Sequence, residues 1–281
     1  MTSQEGRWKW TRTAALFVII AAIPLSAWYL IGNNLFLQWL ITLALLSIFT
    51  FVAGQGVTGR WVGALIDDRN VISLSRFQML VWTILILAAY LTATLFNIYA
   101  NQSNPLGVAL PRELWLLMGI STTSLVGSPL ILSTKAMKAP SEAEMKNTFE
   151  LLAQQGDASG TLTAKGQIVA NRDVASARWS DMFTGEEVGN AAHLDLSRIQ
   201  MFFFTLITAL AYAVALGHIF INHPGGAVSG LPALDQSMLA LIAISHGGYL
   251  TSKAVPHSQP KTEGTGSGGQ QSAMNDHPAM G

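Results

Sequence analysis

The 281-residue chain has no cysteine, so disulfides, thiolate metal sites and cysteine nucleophiles are excluded. Charge is scarce as well. Only 11% of residues are Asp, Glu, Lys or Arg, against roughly 25% in a soluble domain, and they sum to zero. Residues 13–59 carry none of the four, and neither do residues 77–111. These absences exclude an ordinary soluble enzyme domain, a disordered chain and a nucleic-acid binder that works through a basic patch. Catalytic signatures are missing too: there is no G-x-S-x-G, H-E-x-x-H or phosphate loop, and no glycine fingerprint that follows a strand as a dinucleotide site needs. Gly54, Gly56, Gly59 and Gly63 cluster, but no strand precedes them as a phosphate loop would need. His218 and His223 stand five apart with no third ligand, too weak a pattern for a metal. Neither an enzyme nor a cofactor or metal site is expected.

What is abundant is apolar sequence. Half of the residues are hydrophobic, and a helix needs about 20 such residues to cross a bilayer. Six segments qualify: 14–31, 35–52, 77–98, 114–132, 199–221 and 234–250. The first follows Arg7, Lys9 and Arg12 like a signal peptide, yet it runs on through Trp28 and Ile31. That is longer than a signal core, so a retained span is expected. With six spans, fifteen of the 16 Lys and Arg residues fall on one side and Arg112 alone on the other. Basic residues stay inside, so both termini are expected in the cytoplasm, with a bacterial inner membrane as the setting.

The chain also repeats itself. At an offset of 122, Leu74-Ser75-Arg76-Phe77-Gln78-Met79 falls on Leu196-Ser197-Arg198-Ile199-Gln200-Met201. Thr83 falls on Thr205 and Tyr90 on Tyr212. A shared L-S-R-x-Q-M is not explained by apolar composition. The expected fold class is therefore all-α: a polytopic membrane protein with an N-terminal hairpin and two duplicated helical hairpins of parallel topology. Its parts are a basic N-terminus (1–13), the first hairpin (14–59) and repeat one (60–136). A cytoplasmic loop (137–184), repeat two (185–255) and a disordered tail (256–281) follow. Ser75, Arg76, Gln78, Thr83 and Tyr90, with Ser197, Arg198, Gln200, Thr205 and Tyr212, share one helical half. They form the expected packing motif between the repeats.

Spans four and six are the most polar. Ser121, Thr122, Thr123 and Ser124 wrap every face of a helix, so some of these hydroxyls must face protein or water rather than lipid. Ser245, His246 and a Gly pair repeat this in the last span, and His246 is the ionisable group deepest in any span. Glu113 and Asp235 open the two helices at the outer face, either as ordinary first-turn carboxylates or as a cation-attracting mouth. In the loop, Ser141 starts an amphipathic helix, Lys165-Gly166 centres a hairpin, and Trp179, Met182 and Phe183 sit at helical spacing beside Glu186 and Glu187. That segment is a candidate for interface packing or partner docking.

Two functions follow. One is a homo-oligomeric channel or pore lined by Ser121, Thr122, Ser124, Ser245 and His246, with Glu113 and Asp235 at its mouth. The other is a membrane anchor or signalling scaffold that holds a cytosolic protein through residues 137–198. The expected partners are the lipid bilayer, further copies of the chain and that cytosolic protein. No nucleic acid is expected.

Overall fold

The computed structural model describes residues 8–156, 160–223 and 225–259. The expected disorder of the tail lies, from residue 260 onward, outside the described residues. Five helices are long and apolar enough to cross a membrane, as in a membrane protein: α1 (Trp10–Leu30), α2 (Leu35–Thr58), α3 (Leu74–Tyr99), α4 (Arg112–Ala136) and α6 (Leu196–Ile221). The last helix, α7 (Gln236–Ala254), has 19 residues and is not among those five. Its second half, with Ser245, His246, Gly247, Gly248, Ser252 and Lys253, dilutes its apolar character. Six spans were expected; length and apolarity together support five.

The short elements form where local signals placed them. Helix α5 (Glu142–Gln154) begins at Ser141, whose hydroxyl accepts from the Glu144 N–H. Strands β1 (Leu162–Lys165) and β2 (Ile168–Asn171) pair antiparallel around Lys165 and Ile168. Gly166 in the turn has φ +59°, and a Cβ there would strike the Ala136 carbonyl at the end of α4. The turn is thereby seated on the helix bundle. Gly63 likewise lies against the Gly54 backbone, which accounts for part of the glycine cluster after α2.

Helix α3 is the centre of the bundle, packed against α2, α4 and α6. Trp82, Ala88, Ala89 and Ala93 are fully buried along it. Three alanines let neighbouring backbones approach, which is how helices gain contact when lipid is as apolar as their own side chains. Across the α3–α6 contact, Gln78 Nε2 donates to Thr205 Oγ1 at 2.7 Å, and the Trp82 and Tyr212 rings meet edge-on at 6.3 Å.

The two ends of the bundle differ. At one, hereafter the far end, Asn97 donates to the Val228 carbonyl at 3.0 Å and accepts from its N–H at 2.8 Å. A backbone bridge from Ala109 to Gly230 ties the two far-end loops together. At the other, the capped end, residues 60–73, 137–156, 160–195 and 255–259 fold over the helix ends. Residues 256–259 were assigned above to a structureless tail. Here the N–H groups of His257 and Ser258 donate to Glu187, and that of Gln259 donates to Glu144.

Candidate functional site

Four cations and four carboxylates converge at the capped end, drawn from five stretches of chain. Local structure aims each of them. Asp195 caps α6 by accepting from the N–H groups of Ser197 and Arg198, which places Arg198 in the first turn. The Glu186-Glu187 pair runs alongside β2: Val169 N–H donates to the Glu186 carbonyl at 2.9 Å, and Val188 N–H to that of Gln167 at 2.8 Å. Extended backbone alternates its side chains, so adjacent carboxylates take different partners.

Glu186 is the hub. Arg69 reaches its carboxylate at 2.8 Å, Arg198 at 2.7 Å and Lys253 at 2.7 Å. Lys253 also donates to the Ser128 hydroxyl on α4, and its ammonium lies 4.7 Å from the centre of the Tyr249 ring. Glu187 pairs with Lys135 at 2.5 Å. The other two protons of that ammonium go to the carbonyls of Lys253 and Val255, at 2.5 and 2.7 Å. Lys135 thus caps the end of α7, where unpaired carbonyls and the helix dipole favour a cation. Arg69 closes the ring by also gripping Asp67 through Nε at 3.0 Å and Nη2 at 2.8 Å.

Burial by itself would raise the Glu186 carboxyl, but Arg198, Arg69 and Lys253 outweigh it and hold the group well below the usual carboxylate range. For Arg69, burial would lower the pKa, and Glu186 with Asp67 reverses this to a raised value. The charges balance, as buried ions require, although Arg198 Nε has no hydrogen-bond partner among the described residues and only an ion-pair contact to Asp195 at 3.4 Å. Mechanically this is a lock between cap and helices, with the Lys253 ammonium shared between Glu186 and the Ser128 hydroxyl.

The polar faces of α4 and α7 meet each other. Ser124 Oγ lies 2.6 Å from His246 Nδ1, and Ser128 Oγ 3.4 Å from Tyr249 Oη. Ser121, Ser124, Ser245 and His246 are buried, whereas Thr122 is exposed. His246 Nε2 and the hydroxyls of Ser121 and Ser245 have no hydrogen-bond partner. Among the described residues no carboxylate contacts the imidazole. At the far end Glu113 is half-buried, while Asp235 is exposed and caps α7 by accepting from Ser237 N–H at 2.8 Å. Hydrogen bonds from Ser237 hold Asp235 below its ordinary pKa.

The matched repeat residues divide. Gln78 bonds Thr205 across α3 and α6, and Ser75, Arg198 and Tyr212 are buried. Tyr90 and Tyr212 each donate to a carbonyl of the loop after their own helix, Leu106 at 3.2 Å and Pro232 at 3.1 Å. Thr83 and Ser197 are half-buried, and Gln200, the counterpart of Gln78, is exposed and makes no such bond. The motif is therefore used unequally: α3 is surrounded, whereas α6 keeps one side uncovered. In the candidate partner segment, Met182, Glu186 and Glu187 are turned inward, while Trp179 is exposed and Phe183 packs edge-on against Phe202.

Sequence reasoning missed the lock. Arg69, Lys135 and Lys253 counted there only as inside-facing charges, Arg198 also as part of the repeat packing motif, and Asp67 and Asp195 were passed over. The available signal was a Glu-Glu pair together with basic residues at the ends of three helices, Lys135, Arg198 and Lys253. No known protein family, curated protein or solved structure matches the chain.

Proposed function

We propose that this chain is a multi-pass membrane platform that holds a rigid cytosolic cap for a cytosolic partner. On this reading α7 is a sixth span, and α3–α4 and α6–α7 are duplicated hairpins of parallel topology behind an N-terminal hairpin. Both termini are cytoplasmic. At about 1.5 Å per residue, 19 residues come close to the hydrocarbon thickness, and α7 packs along α4 and α6. The observation that carries the platform reading is the Glu186 lock. Cations from three separate segments converge on one carboxylate of the cap, so cap and helices move as one body. Two pairs of polar groups that could line a path, Ser124 with His246 and Ser128 with Tyr249, are engaged with each other instead.

The test is solute and ion flux in proteoliposomes of the purified chain. A platform gives no flux above empty vesicles, and saturable flux overturns it. A homo-oligomeric pore is the second reading, favoured by one observation. Thr122, Thr123, Gly247 and Gly248 lie exposed on α4 and α7, a face that several copies could turn toward a shared axis. In that case Glu113→Gln with Asp235→Asn lowers cation flux at low salt only, because mouth charges are screened over about 10 Å at 0.1 M.

A further inference from the structure

We propose that a cavity beside the start of α3 binds the phosphate headgroup of an anionic phospholipid, with Arg76 as its anion-binding residue. The inference uses the 122-residue correspondence and the membrane setting, and stands apart from the platform reading. The cavity has a volume of about 610 Å³ and lies between the start of α3, the end of α4 and the β-hairpin. That is ample for a headgroup and the first carbons of its chains.

The internal correspondence shows what the cavity lacks. Arg198 is matched by Arg76, and Glu186, which pairs with Arg198 at 2.7 Å, is matched by Ala64. In the second hairpin the anion is built into the chain. In the first, an alanine stands in its place and the cavity opens beside it. Arg76 donates one hydrogen bond, from Nη1 to the Ile66 carbonyl at 2.7 Å. Among the described residues no carboxylate pairs with it. A guanidinium carries five donors in a planar fork suited to phosphate, so most of its capacity is unused.

A second, independent group points the same way. Ser75 lines the cavity, is 2% exposed, and its hydroxyl has no partner. Lys165 also lines the cavity and, among the described residues, donates only to the Asp68 carbonyl, at 2.8 Å. Two carboxylates are also present. Asp67 is taken up by Arg69, and Asp68 is exposed. The balance therefore favours an anion. Beside the hydroxyls of Ser73, Ser128 and Ser133, the cavity has apolar wall from Met79, Leu80, Leu125 and Leu132, which belong to two helices apolar enough to cross a membrane. A free phosphate gains nothing from such walls, whereas a lipid buries its glycerol and first methylenes there, about 0.8 kcal/mol for each CH₂. The chemistry thus selects a phosphate that carries an acyl chain.

Native mass spectrometry of the full chain released from nanodiscs of phosphatidylglycerol or phosphatidylcholine tests this. Wild type is expected to retain phosphatidylglycerol about tenfold more strongly. Arg76→Gln removes that preference. Ala64→Glu, which supplies the carboxylate of the second hairpin, removes it as well while leaving the melting temperature intact, so the result stands even if Arg76→Gln folds poorly. Arg112→Gln, at the far end, keeps the preference. Equal retention of both lipids by wild type overturns the proposal, as does a preference that survives in both cavity variants. If inorganic phosphate alone stabilises wild type through Arg76 and phosphatidylglycerol does not bind, the lipid assignment is overturned in favour of a free anion.

Discussion

Glu186 and Arg198 are twelve residues apart in sequence, and their carboxylate and guanidinium meet at 2.7 Å inside the protein. The pair joins the cap to the first turn of α6, and Arg69 and Lys253 complete it from two other segments. Removing the carboxylate takes the shared counter-ion from three buried cations at once, leaving Arg69 with Asp67, Arg198 with Asp195 and Lys253 with no carboxylate among the described residues. Breaking a buried pair in this way costs about 3–5 kcal/mol, so Glu186→Gln should lower the unfolding temperature in detergent sharply. Glu150→Gln is the control: its partner Lys146 is 4.0 Å away and both side chains are largely exposed. There the change should stay within about 0.5 kcal/mol.

The same carboxylate sets an acid limit. Because Glu186 is held well below its ordinary range, the unfolded chain takes up its proton at a higher pH than the folded one. Its contribution is fully present above the unfolded value of about 4.3 and is lost as pH falls from there toward the folded value. Thermal melts should be level from neutral pH to about pH 5 and fall steeply below about pH 4.3. In Glu186→Gln that component of the fall should disappear.

On the α4–α7 contact, Ser124 is, among the described residues, the one hydrogen-bond partner of a buried imidazole, at 2.6 Å. Ser124→Ala leaves a polar ring nitrogen unsatisfied and should cost about 1–3 kcal/mol. His246→Leu added to Ser124→Ala should recover much of the loss, since an apolar pair replaces both groups. A double-mutant cycle of unfolding free energies measures the coupling; strict additivity would show that the two residues do not interact.

The unequal use of the repeat motif makes a paired prediction. Gln78→Leu breaks the bond to Thr205 and should cost about 0.6 kcal/mol, with roughly 1.7 as the upper bound for such bonds in membranes. Gln200→Leu removes an exposed amide and should leave stability unchanged. Equal effects at the two positions would mean that α6 is covered by another chain.

Topology reporters separate six spans from five. Reporters at Gln102 and Gly160 should read outside and inside respectively. A third reporter after residue 259 should read inside if α7 crosses and outside if it does not. A cytoplasmic signal at Gln102 would remove the whole arrangement.

The sequence by itself determined the class, because crossing hydrocarbon demands long charge-free runs and nothing else explains residues 13–59 and 77–111. It also determined the local pieces. Ser141 as a cap and Lys165-Gly166 as a turn act through neighbours a few residues away, so their meaning is written locally. Tertiary structure alone decided where the charges go. Asp67, Lys135, Glu186, Arg198 and Lys253 have no common period, and each is a plain helix-end or loop charge until the bundle brings them within reach. It also decided that Gln78 is inside and Gln200 outside, although one motif contains both. Identical side chains take different surroundings because burial is set by how many helices surround α3 and α6, a property no segment carries alone.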